Sequence, residues 1–224
     1  MTLPRDTDAA NVLVSDFDGT MTRHDFYKLA VESLVPLGTP NYWAEYRAGT
    51  ITHFEALRRY FASIRMSEAE VLAVVDGMEL DPQLPVAVEE LSRAGWSVVV
   101  ASAGCAWYIH RLLAAAGMNI EVNANPGRFE TGAGLLMQMP TDSPYLSQTL
   151  GVDKAGVVRR HLGAGRTVAF AGDGFADADA ARLVADELRF ARADLAQVMT
   201  QEGRPFHPFE AWSDIAPVLL RRGN

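Results

Sequence analysis

Apolar and polar positions along this chain fall into two kinds of pattern. Three short apolar runs each end in a polar residue: Val12-Leu13-Val14 leads through Ser15 into Asp16, Val98-Val99-Val100-Ala101 leads into Ser102, and Val168-Ala169-Phe170-Ala171 leads through Gly172 into Asp173. Runs this short, rich in valine and closed by Gly or Asp turns, predict strands buried on both faces, as in a parallel sheet. Between them lie helical stretches over 86–94, 107–116, 155–161 and 176–184. This alternation predicts an α/β fold with a doubly wound, mostly parallel, Rossmann-like sheet. In such sheets ligands bind at the carboxyl ends of the strands. All three predicted strand ends carry a residue with chemical potential.

The interval 22–84 breaks the alternation, with helices predicted over 52–64 and 67–75 and turn material over 36–41. An insertion this long after the first strand is more than a loop, since unstructured connections of that length are rare in compact domains. It is expected to form a small helical cap over a core made of 1–21 and 85–224. Phe54, Leu57, Phe61 and Ile64 recur at helical spacing and are expected to be the cap's own apolar stripe. Tyr42, Trp43 and Tyr46 are less periodic and are candidates for a pocket wall. Glycines 127, 132 and 134 mark a hairpin over 125–139. The chain is expected to finish, after 189–192, with a helix, a short extended piece and a terminal helix from Pro208.

Composition narrows the function classes. With 224 residues, about half of them apolar, the chain is long enough for one sizeable core and a small satellite. A net charge of −8 argues against a nucleic-acid partner, which is held mainly by clustered Lys and Arg. A single cysteine, Cys105, excludes an internal disulfide and fits a reducing compartment. Asp6 and Asp8 stand where a signal peptide needs an apolar run, and no segment is long and apolar enough to span a bilayer. A cytoplasmic protein acting on a small molecule is expected.

The candidate chemistry begins with Asp16 and Asp18 in the string DFDGT. Two neighbouring carboxylates facing an anionic phosphate make sense only with a cation between them, and Mg²⁺ takes hard oxygen ligands. One carboxylate is then available as nucleophile and the other as proton donor and acceptor. Gly19 permits a sharp turn that aims backbone N–H groups at the phosphate. An ordinary Asp-Gly turn is the competing explanation. Ser102 is expected to open a helix, where its hydroxyl and the Ala103 N–H grip a phosphate oxygen; a plain N-cap serine explains it as well. Lys154 follows the N-cap candidate Asp153 in the first turn of a helix, where the macrodipole disfavours a cation. Pairing with Asp16 or with the phosphate accounts for it, as does simple solvation. Asp173 and Asp177, in GDGFAD, are placed to complete a metal's oxygen shell and to order a ligand around it. Cys105 lacks a local base and is expected to serve packing. The five histidines show no metal-ligand spacing, and only His24 lies just beyond the DFDGT loop.

In order and placement, these four signals make the sequence similar to the haloacid dehalogenase superfamily of phosphohydrolases, whose four motifs match Asp16/Asp18, Ser102, Lys154 and Asp173/Asp177. The resemblance spans Val12 to about Asp179. It implies that Asp16 is a nucleophile forming an aspartyl-phosphate and that Asp18 protonates the leaving alkoxide and then activates water. It further implies that Phe17, Ser102, Ala103 and Lys154 bind the phosphoryl group. Asp16, the Asp18 backbone carbonyl and Asp173 would bind Mg²⁺, with Asp177 behind them. Within the superfamily the chain resembles the phosphoserine-phosphatase-like branch. Its ending, RFARADLA followed by GRPFHPFEAWSDI, resembles methionine-salvage phosphatases acting on a methylthio-diketopentyl phosphate. It departs from those in having no cysteine in 141–153, and from phosphoserine phosphatases in having Phe61, with Arg58 and Arg59 close by, where a cap arginine is expected; Asp25 stands in for the cap acid. Phosphoserine is accordingly expected to be a poor substrate, and a small phosphorylated metabolite of keto or sugar type a better one. A phosphotransferase with another acceptor is the nearest rival. A phospho-accepting signalling receiver is the more distant one, since receivers are shorter and lack both the acid pair and a cap.

Overall fold

A computed structural model describes residues 9–221. Asp6 and Asp8 lie outside the described residues. In chain order the elements are β1 (Asn11–Ser15), α1 (Phe26–Ser33), α2 (Tyr42–Arg47), α3 (His53–Ala62), α4 (Glu68–Asp76), α5 (Leu84–Arg93), β2 (Trp96–Cys105), α6 (Ala106–Ala115) and β3 (Glu121–Asn125). There follow β4 (Gly127–Glu130), β5 (Gly134–Met137), β6 (Leu146–Ser147), β7 (Gly151–Val152), α7 (Lys154–Gly163) and β8 (Thr167–Gly172). The chain continues with α8 (Ala178–Ala181), β9 (Arg189–Ala191), α9 (Ala193–Gln201), β10 (His207–Pro208) and α10 (Ile215–Leu220).

The central sheet has six strands in the order β10-β9-β8-β1-β2-β3, every neighbouring pair parallel. β1 is at the middle, with Ser15 opposite Val100 on one side and Ala171 on the other. This register brings the ends of all three predicted strands to one edge. Successive strand residues point to opposite faces, and both faces are covered. Leu13, Val98 and Val100 belong to one apolar cluster, and Val12, Val14, Val99 and Phe170 to the other. The predicted valine-rich runs are therefore a doubly covered parallel sheet.

Four helices, α1–α4, fill the interval between β1 and α5, and an antiparallel bridge from Thr22 to Leu80 closes its base. Thr52 caps α3 by accepting from Glu55 N–H, and Ser67 and Glu70 form a capping box at α4. All four members of the predicted stripe, Phe54, Leu57, Phe61 and Ile64, are buried, in the same apolar cluster as Leu13 and Val98. The hairpin β4–β5 lies within the predicted 125–139.

Three boundaries differ from the sequence reading. The predicted helix over 176–184 is a 3₁₀ turn, Phe175–Asp177, followed by the four-residue α8, because Asp177 bonds back to the preceding loop. The terminal helix begins at Ile215 rather than Pro208, after a 3₁₀ turn at Trp212–Asp214. β2 does not stop before Ser102 but runs to Cys105, and α6 begins only at Ala106. Among the described residues, no helix is long and apolar enough to cross a membrane.

Candidate active site

The site is built on the loop that leaves the central strand. Asp16 follows β1 directly, and its N–H donates to the Ala171 carbonyl at 2.9 Å, locking it against β8. Behind it, Trp212 Nε1 donates to Ser15 Oγ (2.9 Å), which donates to the Asp16 carbonyl (2.7 Å). The loop then turns tightly, with the N–H groups of Thr20, Met21 and Thr22 converging on the Phe17 carbonyl. Gly19 has φ of +70°, and a Cβ there would lie 2.5 Å from Asp173 Oδ2, so backbone conformation and space both demand glycine. The Phe17 side chain is fully buried in the core, so only its main chain is left to face a ligand.

Lys154 opens α7 and its ammonium is enclosed in acid. Nζ lies 2.8 Å from Asp16 Oδ1 as an ion pair, although its aligned hydrogen bond runs to Asp177 Oδ1 at 2.6 Å. The Lys154 and Asp16 side chains are 4% and 8% exposed, which removes the solvated-lysine explanation. Burial works against the lysine's charge, but Asp16 and Asp177 outweigh it and hold the ammonium above its ordinary pKa. Asp177 is the anchor of this group. Its Oδ2 accepts the N–H groups of Asp173 (3.1 Å) and Gly174 (2.9 Å), tying the loop after β8 to the lysine.

Asp16, Asp173 and Asp177 each bring one carboxylate oxygen within 4.8 Å of the others. Burial, then the Asp177 charge, raises Asp16 well above the usual carboxylate range, and the same two causes push Asp173 up to about 7. One lysine does not neutralise three crowded acids, and their hard oxygens are the donor set for a divalent cation. The residues present fit Mg²⁺. Asp177 has both oxygens engaged, which leaves Asp16 and Asp173 as the carboxylates to hold it; Thr20 Oγ1 donates to Asp173 Oδ1 at 3.1 Å. The Asp18 carboxylate is not part of this grouping.

The Asp18 carboxylate has its own donors. Oδ1 accepts from Phe26 N–H (3.3 Å), and Oδ2 from Tyr108 Oη (2.9 Å) and Ser102 Oγ (3.3 Å). Burial, then the Asp25 charge, pushes it up to about 7. Ser102 lies in extended backbone four residues before α6, not at a helix N-terminus. The β2–β3 register shifts between Ala101 and Cys105, and Ser102 Oγ accepts from Gly104 N–H at 2.9 Å across this irregularity. The Ala103 carbonyl accepts from Asn125 Nδ2 (2.7 Å), which also donates to the Leu150 carbonyl (3.1 Å).

Asp16, Asp18, Ser102, Ala103, Lys154, Asp173 and Asp177 all line one cavity of about 610 Å³. Trp43, Tyr46, Leu57, Phe61 and His53 add a largely aromatic part to its lining, with Asp25, Lys28 and Arg47 also on it. Of the three pocket-wall candidates, Tyr42 is absent from this lining; its ring packs on Tyr60 at 5.0 Å, under Arg59. Leu57 and Phe61, read as core, serve both core and cavity. Arg58 and Arg59 are bound to Glu55, each at 2.7 Å, and do not line the cavity. His24 faces Glu79, 3.8 Å away. The histidine that does reach the cavity is His53, which burial, then Lys154, lowers to about 4, so its ring is neutral. The Cys105 thiol is buried and burial pushes it up to about 12, as a packing role requires. Tyr108, Asn125 and His53 were not singled out from sequence. A tyrosine on the buried face of α6 was the one available signal, because a buried phenol needs a partner.

The sheet order and the acid–lysine grouping at its carboxyl edge are those of an enzyme built on a Rossmann-like α/β sheet. The model of the haloacid dehalogenase-like hydrolases matches residues 13–182, and the chain belongs to that family. Solved structures of similar fold include a HAD family hydrolase from Salmonella enterica serovar Typhi, at 16% identity and TM-score 0.65, covering 90% of this chain and 68% of that one. A probable phosphoserine phosphatase from Vibrio cholerae matches at 16% identity and TM-score 0.64, covering 99% and 69%. A phosphoserine phosphatase captured as a phospho-aspartyl intermediate analogue matches at 16% identity and TM-score 0.60, covering 91% and 94%. At these identities the likeness is one of fold. No significant match is found among curated protein sequences.

Proposed function

We propose that the protein is a phosphoric monoester hydrolase that passes the phosphoryl group through Asp16. The observation that carries this reading is the buried Asp16–Lys154–Asp177 group facing the same cavity as a separately held Asp18. Asp16 attacks phosphorus as the ester P–O bond breaks, and Asp18 gives its proton to the departing oxygen. Water then attacks the aspartyl-phosphate, Asp18 takes the water proton, and the Asp16 O–P bond breaks to release inorganic phosphate. Lys154, the Ser102 hydroxyl and the N–H groups around Phe17 and Ala103 hold the phosphoryl oxygens. Asp16, Asp173 and the Asp18 carbonyl would hold Mg²⁺, which when bound would neutralise charge between the nucleophile and its anionic target. Asp177 acts through Lys154 and the loop after β8.

In this reading residues 22–84 are a cap over a core of 1–21 and 85–224, and the cap supplies contacts to the leaving group. The aromatic wall and the neutral His53 suit a small, partly apolar keto or sugar-like phosphate, of which a methionine-salvage keto phosphate is one example. A second reading, phosphoserine, is favoured by Asp25 and Arg47 on the same cavity, which offer a carboxylate for an ammonium and a guanidinium for a carboxylate. We place the enzyme in the cytoplasm.

A panel of phosphate esters, scored by phosphate release with and without Mg²⁺, tests the reading. Turnover without any added acceptor is expected and separates a hydrolase from a phosphotransferase. Excess EDTA should abolish it and Mg²⁺ restore it; undiminished turnover in EDTA refutes the metal assignment. Phosphoserine should be a poor substrate, and turnover of it far above every keto or sugar phosphate would decide for the second reading. Trp43→Ala and Tyr46→Ala should each shift the ratio of kcat/KM between two esters by about 10-fold or more, the discrimination one apolar contact carries.

A further inference from the structure

We infer that Tyr108 is a positioning residue for Asp18, fixing the carboxylate that carries the proton; the inference rests on the reading of Asp18 given above. Tyr108 Oη donates to Asp18 Oδ2 at 2.9 Å, the shortest of that carboxylate's three hydrogen bonds. The phenol is only 1% exposed, so without this bond a buried donor would be left unsatisfied. Space has been cleared for the contact. A Cβ on Gly104 would lie 2.0 Å from Tyr108 Oη, 2.5 Å from Asp18 Oδ2 and 3.1 Å from Ser102 Oγ, so all three oxygens meet where residue 104 carries no side chain.

The tyrosine ring is itself held from the other side. It packs on Phe26 with centroids 4.6 Å apart, and Phe26 packs on Phe61 of α3 at 5.3 Å. Phe26 also donates its N–H to Asp18 Oδ1. The carboxylate is thus clamped between a backbone donor at the start of α1 and a phenol on α6. The ring column continues from both donors into α3, the helix whose Leu57 and Phe61 line the cavity. Tyr108 lines the cavity, but its hydroxyl is committed to Asp18 rather than to the acid–lysine group, and it acts by keeping Asp18 aimed.

Tyr108→Phe keeps the ring packing and removes one hydrogen bond to a charged group. It should lower kcat about 10- to 100-fold on an alkyl phosphate, with KM changed by less than about 3-fold. The decisive readout is the dependence on the leaving group. p-Nitrophenyl phosphate releases a phenolate that needs no proton, so rapid-quench formation of the aspartyl-phosphate from it should fall by less than about 3-fold, while hydrolysis of that intermediate, which needs Asp18 as base, slows and the phosphoenzyme accumulates. The contrast between the two esters within one preparation is independent of how much protein is folded. Equal losses in the rate of aspartyl-phosphate formation from both esters, or no loss from either, would overturn the inference. If Asp16→Asn hydrolyses the esters as fast as the wild type, the underlying reading of the site fails instead.

Discussion

Asp16→Asn protein is expected to be folded and catalytically silent. The neutral amide is a very poor nucleophile at phosphorus, so turnover should drop by about 10⁴-fold or more, as losses of a covalent nucleophile do. No alkali-labile phosphoenzyme should form from any ester. Stability without Mg²⁺ should hold or rise, because the change removes one of three crowded carboxylates while Asp177 still pairs Lys154. Asp18→Asn keeps the nucleophile and should cost on the order of 10²–10⁴ in rate. Near wild-type turnover by the Asp16→Asn protein, free of contaminating phosphatase, would refute the nucleophile assignment.

The second large effect is on folding. Lys154→Met retains a long side chain and removes the charge that Asp16 and Asp177 both contact. Breaking a buried ion pair by deleting one partner leaves uncompensated charge and costs about 3–5 kcal/mol. The urea midpoint should fall accordingly, and activity should be lost as well. Lys154→Met combined with Asp177→Asn should recover part of the stability, because the two positions share one network and their effects are not additive. A Lys154→Met protein unfolding at the wild-type midpoint would show that the acid–lysine group carries no net stability.

The site was legible where chemistry sits at strand ends. Val12–Val14, Val98–Ala101 and Val168–Ala171 announce themselves by composition, and parallel pairing then brings Asp16, Ser102 and Asp173 to one edge. Lys154 was readable because a cation in the first turn of a helix needs a reason. What stayed hidden depends on side chains meeting across the fold. Ser102 resembles an N-cap in sequence, but the irregular pairing at Ala101–Cys105 extends the strand past it. Tyr108, Asn125 and His53 lie in segments whose periodicity says only that one face is buried. Tyr42, Trp43 and Tyr46 are indistinguishable in sequence, yet α2 turns two of them to the cavity and the first toward Tyr60.

The position of β1 in the sheet has a kinetic consequence. The strand that delivers Asp16 comes well before one of its neighbours in the sheet, β8: Thr20 and Asp173 meet across 153 positions. Trp212, which braces Ser15 behind Asp16, is 197 positions away. Contacts of such separation are slow to form, because loop closure is opposed by chain entropy before pairing rewards it. Until β8 arrives, the nascent strand presents an unpaired apolar edge, the kind of surface that chaperones retain and that aggregates when they do not. Regain of the catalytic centre should therefore trail the recovery of helical signal in refolding, making activity a late reporter of the completed sheet.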